Sequence, residues 1–390
     1  MVANVLKTKH VLSSMYTRIR GRLPNTTTLK ATNTSTPLKQ TDHRNEIIAR
    51  LQGHSVVIPD LTYIYNDCEP HTNPDIEKLR AFVEDWIEKY IPTPAEKARQ
   101  RKVNIALCCA YLWTHGPIDK LLVLTSLVCW LFFWDDEIDC GTLTNDSART
   151  DAYCDATLAF MKHHLQPELN VTPPPHGRLH NSGMWADIGK AVQEGQSKEA
   201  RDRFAESVYR VVNAVRDTQA KWVIGMDSFD DYAKRRREGV ALDVVVTSLQ
   251  WFHGLSLPPS IWEHEAMQSV MDEVSITVFL FNDIVSLKKE VVDGQVDSTV
   301  PIFVWSQNMS PQAAVDKAVK MLEVSWENLL AAGTRLQDVA DTEQDKREVN
   351  VVVTCCKEIL VGHMAYCLRS ARYMTDATFE GESNAFRVVL

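Results

Sequence analysis

Apolar residues recur at helical spacing along most of the chain. Ile76, Leu79, Val83, Trp86, Ile87 and Tyr90 fall on one face of a 3.6-residue period. Val315, Val319, Leu322, Trp326 and Leu329 form a second stripe of the same kind. Asn73-Pro74 and Ser310-Pro311 precede these stripes, each a capping residue followed by a proline suited to a first helical turn. The same pattern predicts helices near 96–113, 118–136, 149–165, 197–224, 241–255, 266–290 and 344–374. Strand-like alternation with hairpin turns is lacking, and the β-branched run 244–247 sits inside a helical pattern. Two stretches interrupt the helices: 166–183, with Pro167, Pro173, Pro174 and Pro175, and 291–301, with Gly294 and Pro301. No internal repeat is found. The expectation is an all-α fold in which 46–376 is one helical domain, with tails at 1–45 and 377–390.

The apolar run 121–134 is 14 residues long, short of the roughly 18 to 20 needed to cross a membrane. It reads as a buried helix, and no membrane span is expected.

Charge sets the N-terminus apart. Lys7, Lys9, Arg18, Arg20, Arg22, Lys30 and Lys39 precede the first acidic residue. Polar residues dominate 25–41, which predicts a flexible basic tail. An acid-free start of this kind also resembles a transit peptide. The chain as a whole carries a net charge of −9, so a nucleic-acid surface is not expected.

Its nine cysteines include no C-x-x-C pair. They read as buried free thiols in a reducing compartment, and a cytoplasmic location is the expectation. His163, His164, His176 and His180 share no helical face and read as an exposed loop rather than a metal site.

The candidate chemistry lies where greasy helices meet acids. Residues 121–134 run directly into Asp135, Asp136, Glu137, Ile138 and Asp139. Asp135 and Asp139 are i and i+4, so two like charges share one face and repel. The helix C-terminus and the neighbouring aromatic residues raise that cost. A hard divalent cation such as Mg²⁺ would relieve it. Asn282, Ser286 and Glu290 recur at i, i+4 and i+8, a single line of oxygen donors on another apolar helix. A solvated helix surface is the plain alternative for either cluster alone. Arg235, Arg236 and Arg237, together with Lys289 and Arg372-Tyr373, could supply donors for a diphosphate.

These elements, in this order, resemble the class I terpene synthases. Asp135-Asp136-Glu137-Ile138-Asp139 is similar to their aspartate-rich motif. The segment from Asn282 through Asp283, Ser286 and Lys289 to Glu290 matches their second metal motif. Arg236 or Arg235 resembles their diphosphate-sensing arginine, Gly239 their helix-breaking glycine, and Arg372-Tyr373 their C-terminal pair. The resemblance covers about 55–376. It is strongest to fungal single-domain sesquiterpene cyclases, with a presilphiperfolanol-synthase-like relative among the expectations.

What it implies is a helical bundle around a central apolar pocket, binding three Mg²⁺. Two would be held through Asp135, assisted by Asp136 or Asp139, and one through Asn282, Ser286 and Glu290. Arg235 or Arg236, with Lys289, Arg372 and Tyr373, would hold the diphosphate. Phe132, Phe279, Gly239 and Tyr366 would line the pocket. The implied reaction is carbon–oxygen cleavage and cyclisation of a small prenyl diphosphate, farnesyl diphosphate first, by a monomer or homodimer. A C20 cyclase, a chain-elongating prenyltransferase and a non-catalytic helical scaffold are the alternatives.

Overall fold

The computed structural model describes residues 38–390, apart from 66–67, 140–142, 144–145, 174–183, 223–227, 375–376 and 382. At 38–42, 139 and 219–222 only the backbone is described. The architecture is almost wholly helical. Helix α1 is Leu38–Leu51, α2 Ile76–Tyr90, α3 Pro94–Val103 and α4 Ile105–Leu112. Then follow α5 Ile118–Asp139, α6 Ser147–Leu165, α7 Met184–Gln193 and α8 Lys198–Trp222. The second half comprises α9 Phe229–Gly239, α10 Leu242–His253, α11 Pro259–Trp262, α12 Glu265–Val285 and α13 Leu287–Val292. It closes with α14 Thr299–Ser306, α15 Pro311–Val339, α16 Glu343–Arg369 and α17 Ala371–Met374.

The two apolar stripes do what their spacing requires. In α2, Leu79, Val83, Trp86 and Ile87 are buried, although the helix begins at Ile76 rather than at Pro74. Asn73 is used in the turn before it: its Oδ1 accepts from the Asp75 amide at 2.9 Å and its Nδ2 donates to the Trp113 carbonyl at 2.9 Å. In α15 the expected cap is present, with Ser310 accepting from the Ala313 amide and Pro311 opening the helix. All five residues of its stripe are buried. Helix α12 lies centrally, packed along α15 and against α9, α10 and α16. Its burial on most sides explains an apolar pattern wider than one stripe.

Several predicted helices are divided, and each break positions something. The 96–113 segment splits at Asn104, whose φ of 57° ends α3 and starts α4. That break leaves the Val103 carbonyl without a helical partner. The buried Tyr366 hydroxyl donates to it at 2.7 Å. The 266–290 segment divides at Ser286 into α12 and α13. The arginine run, read as a patch of donors, is the last part of α9. Ala241, at φ 64°, then redirects the chain into α10. Besides α1, helices α7, α9, α11 and α14 were not among those predicted. These four are short, and α9 has few apolar residues to mark a stripe.

Residues 1–37 of the expected N-terminal tail lie outside the described residues, and the described part of each expected tail is structured. Helix α1 begins before residue 45, and Ile47 and Leu51 are fully buried. Residues 377–390 are not a tail. Strand β1, Ser55–Ile58, pairs antiparallel with β3, Phe386–Val389, which also pairs with β2, Thr378–Phe379. Phe386, Val388 and Leu390 point inward while Val389 is exposed. That two-residue alternation is too brief to stand out in a helical chain.

Helix α16 holds the longest apolar stretch among the described helices, longer than the run 121–134. By length and composition it could cross a membrane. It is instead a mostly buried core helix, packed on α4, α10, α12 and α15. At Gly362 it approaches α4 so closely that a Cβ would meet the Tyr111 carbonyl oxygen at 2.3 Å. Eight cysteines are described, and all are free thiols. Of the four histidines read as a loop, His163 and His164 lie in the last turn of α6; His163 Nδ1 donates to the Val171 carbonyl at 2.9 Å, and the two rings meet edge-on. His176 and His180 lie outside the described residues.

Candidate active site

The ends of α5 and α12 meet across one cavity of about 210 Å³. Its floor and walls are apolar: Leu112, Val128, Leu131, Leu242, Val245 and Val278. Its rim carries the charge. Asp135 and Asp136 come from α5, Arg236 from α9, Asn282 and Ser286 from the end of α12, Lys289 and Glu290 from α13, and Arg372 and Tyr373 from α17. The two acidic clusters, far apart in sequence, therefore share one opening.

The second cluster is wired together. Ser286 Oγ lies 2.6 Å from the Asn282 carbonyl and 2.7 Å from Glu290 Oε1, with one hydrogen to share between them. Asn282 Oδ1 accepts from Arg236 Nη2 at 2.8 Å, and Asn282 Nδ2 donates to the Tyr373 hydroxyl at 3.2 Å. Burial, and then Asp283, push the Glu290 carboxyl up to about 6. Glu290 Oε2 is buried with no hydrogen-bond partner among the described residues. An orphaned carboxylate oxygen beside an amide and a hydroxyl oxygen is a donor set that fits a hard divalent cation.

The first cluster is arranged differently. Asp135 is half-buried and takes no hydrogen bond or ion pair among the described residues. Burial and the neighbouring Asp136 push its carboxyl upward, while Arg236, Arg372 and Lys289 pull it the other way. Asp136 also lines the cavity, but its oxygens belong to the scaffold. Oδ2 accepts from Gln100 Nε2 at 3.0 Å and lies 3.5 Å from Arg99 Nε, while Oδ1 is 3.7 Å from Arg372 Nη2. Glu137 turns away to the Tyr153 hydroxyl. Asp139 ends α5, and its side chain lies outside the described residues.

Among the basic candidates the structure separates neighbours. Arg236 reaches the cavity and sits over Asn282, with its Nε 3.6 Å from Asp283 Oδ1. Arg235 is held by Asp297 at 3.2 Å in an adjoining recess of about 110 Å³ that shares Asp135, Arg236 and Glu290 with the cavity, and Arg237 pairs with Asp272 at 2.9 Å. Lys289 pairs with Asp293 at 3.1 Å and still faces the opening. The Arg372 guanidinium stands 5.6 Å over the Phe132 ring, joining the charged rim to the aromatic wall.

Of the pocket candidates, Phe132, Gly239 and Tyr366 line the cavity. Tyr366 lies edge-on to Tyr373 at 6.2 Å. A methyl at Gly239 would touch only Ala214 Cβ, at 3.8 Å, so packing alone does not demand glycine there. Phe279 does not line the cavity. It is fully buried, edge-on to Tyr232 at 6.1 Å. It lies one residue, about 100°, around α12 from Val278, which faces the cavity.

Two contributors were given no role from sequence. Asp283 is fully buried and anchors the rim. Its Oδ2 accepts from the Tyr232 hydroxyl at 2.6 Å and from the Thr299 amide and hydroxyl at 3.0 and 2.5 Å. Its place inside the apolar run 274–285 was the available signal, because a buried carboxylate requires partners. The other is His363, which lines the cavity from α16.

Comparison with known proteins agrees with this geometry. A family model described as terpene synthase family 2, C-terminal metal binding, matches residues 126–328, which include both acidic clusters. Terpene cyclase braA of Annulohypoxylon truncatum is 26% identical over 338 residues, spanning 85% of this chain and 89% of that protein. Silphinene synthase peniA of Penicillium patulum is 23% identical over 342 residues, spanning 86% and 89%. Among solved structures, α-eudesmol synthase superposes with a TM-score of 0.68 at 21% identity, over 78% of this chain and 97% of that one. At that identity the likeness is one of fold: the same helical bundle.

Proposed function

The chain belongs to the terpene synthases, to the fungal class I kind with a C-terminal metal-binding region, and is an enzyme of terpene cyclisation; on that premise we propose that it ionises farnesyl diphosphate and cyclises it to a C15 terpene, with Mg²⁺ as the metal. The observation that carries this reading is the single cavity whose apolar interior is rimmed by Asp135, Asn282, Ser286 and Glu290 on one side of the chemistry and by Arg236, Lys289, Arg372 and Tyr373 on the other.

Asp135 would hold metal on the α5 side, and Asn282, Ser286 and Glu290 on the α13 side. When bound, Mg²⁺ would supply Lewis-acid stabilisation of the negative charge growing on the diphosphate. Arg236, Lys289, Arg372 and Tyr373 donate to the same oxygens. The allylic C–O bond breaks heterolytically, its electron pair leaves with diphosphate, and a cation remains in the cavity. Leu112, Val128, Leu131, Val245 and Val278 offer that cation no nucleophile and keep water from it. Phe132 and Tyr366 present ring faces or edges to it.

Asp136 acts at one remove. The one bond it accepts from Gln100 and its pairing with Arg372 fix where the Arg372 side chain stands. Incubation of the full chain with farnesyl diphosphate and Mg²⁺ should release diphosphate and a cyclic C15 product, read by phosphate assay and gas chromatography. C20 product from geranylgeranyl diphosphate in preference would move the substrate assignment. No release from C10, C15 or C20 diphosphates would overturn the reading.

A further inference from the structure

Cyclisation of a prenyl cation to a hydrocarbon ends when a base takes the last proton, and a base in the cavity wall can do so close to the cationic carbon. The rim is poorly suited to that task, because its carboxylates face the diphosphate end. Within the wall, the Tyr366 hydroxyl is spent on the Val103 carbonyl. The Cys108 thiol is kept protonated by burial, well above its ordinary range.

His363 is the one imidazole lining the cavity among the described residues. It is on α16, one turn before Tyr366 and on the same side of the helix. Its Nε2 lies 3.5 Å from Cys367 Sγ, and Phe281 meets the ring edge-on at 5.8 Å. Nδ1 has no hydrogen-bond partner among the described residues. With the hydrogen on Nε2, directed at the sulfur, Nδ1 carries a free lone pair. Burial, and then the field of Arg236, push this histidine down to about 4. The ring is therefore neutral at neutral pH and adds no positive charge to repel the substrate cation. A carbocation with an adjacent C–H is a far stronger acid than any imidazolium, so a weak base suffices.

We propose that His363 is the terminal base of the reaction, with its ring nitrogen taking a proton from the carbon next to the cationic centre. The C–H bond breaks, its electron pair becomes the new C=C bond, and the proton forms an N–H bond on the imidazole. The imidazolium then passes that proton to the departing diphosphate, or to bulk water as the product leaves. This inference rests on the cyclisation reading above.

The test uses the full chain with farnesyl diphosphate and Mg²⁺, measuring diphosphate release and product profile separately. His363→Phe keeps a ring without a basic nitrogen, and His363→Ala leaves a ring-sized space. In both variants the principal product's share should fall about tenfold, in favour of other alkenes or alcohols, with diphosphate release falling much less. Imidazole added to His363→Ala should restore that share. Pyrrole, of the same shape but without a basic lone pair, should not. An unchanged profile in His363→Phe overturns the proposal, as does equal restoration, or none, by the two additives. Absence of diphosphate release by the unaltered protein would instead overturn the underlying reading, and thermal unfolding of each variant checks that it is folded.

Discussion

The two acidic rims of the cavity hold similar groups in opposite states. On α13 and the end of α12, Asn282, Ser286 and Glu290 are joined to one another, to Arg236 and to Tyr373. On α5, Asp135 stands beside Asp136 with no direct partner among the described residues, while Asp136 is bound into the scaffold. The wired rim is held together by its own hydrogen bonds, which include Arg236 and Tyr373. The open rim sets two carboxylates side by side, a repulsion that Arg236, Arg372 and Lys289 offset in part and a bound cation would relieve further. One side is thus fixed by its own bonds, and on the proposed reading the other is where metal would add most.

The comparison can be broken most decisively at the groups that would touch metal. Asp135→Ala and Glu290→Ala should each lower turnover with farnesyl diphosphate by about 10³-fold or more, with helix content unchanged by circular dichroism. Retention of near-normal turnover by either would end the assignment of that rim. Next comes Arg236→Lys. A lysine can reach Asn282 Oδ1 or lie near Asp283, but it cannot span both as the guanidinium does. A loss of roughly 10²-fold in kcat/KM is expected, and little change would show that the wiring is incidental.

A stability contrast sharpens the difference further. In metal-free protein, Asp135→Asn removes a charge that burial and Asp136 disfavour, so its melting temperature should rise. Asp136→Asn weakens its link to Arg372 and Arg99, so its melting temperature should fall, by a few degrees for each about 1 kcal/mol lost. Shifts of the same sign would erase the distinction between open and committed carboxylates.

The smallest effect is on pH. The Glu290 carboxyl is raised from 4.5 to about 6 in the folded, metal-free chain, so the folded state holds its proton longer than the unfolded one. Its contribution to stability is present below pH 4.5 and is lost as pH rises through about 6. Metal binding wants the ionised form, so the Mg²⁺-induced rise in melting temperature should grow over the same window. Glu290→Gln should flatten that growth.

The wired rim was legible along the chain because helical spacing alone aligns residues four apart. Asn282, Ser286 and Glu290 could be placed on one line without knowing what faced them. The open rim was legible as charge crowded onto a greasy helix. That Asp136 turns to Gln100 while Asp135 does not was beyond reach, because the choice depends on α3 packing beside α5. Phe279 failed for a related reason. Its spacing allowed either side of α12, and contact with Tyr232 selected the side away from the cavity.

The sequence by itself determined the all-α class, the stripes of the longer helices and the two polar clusters where apolar helices end. Those properties live in short-range periodicity and in the intrinsic cost of crowding like charges. Only the tertiary structure decided which of Arg235 and Arg236 serves the cavity, that residues 386–390 close a small sheet against β1, and that His363 looks into the apolar interior. Each of those depends on which distant surface packs against a given helix face. Local patterning constrains such pairings without choosing among them, since burial rewards any partner of the right shape.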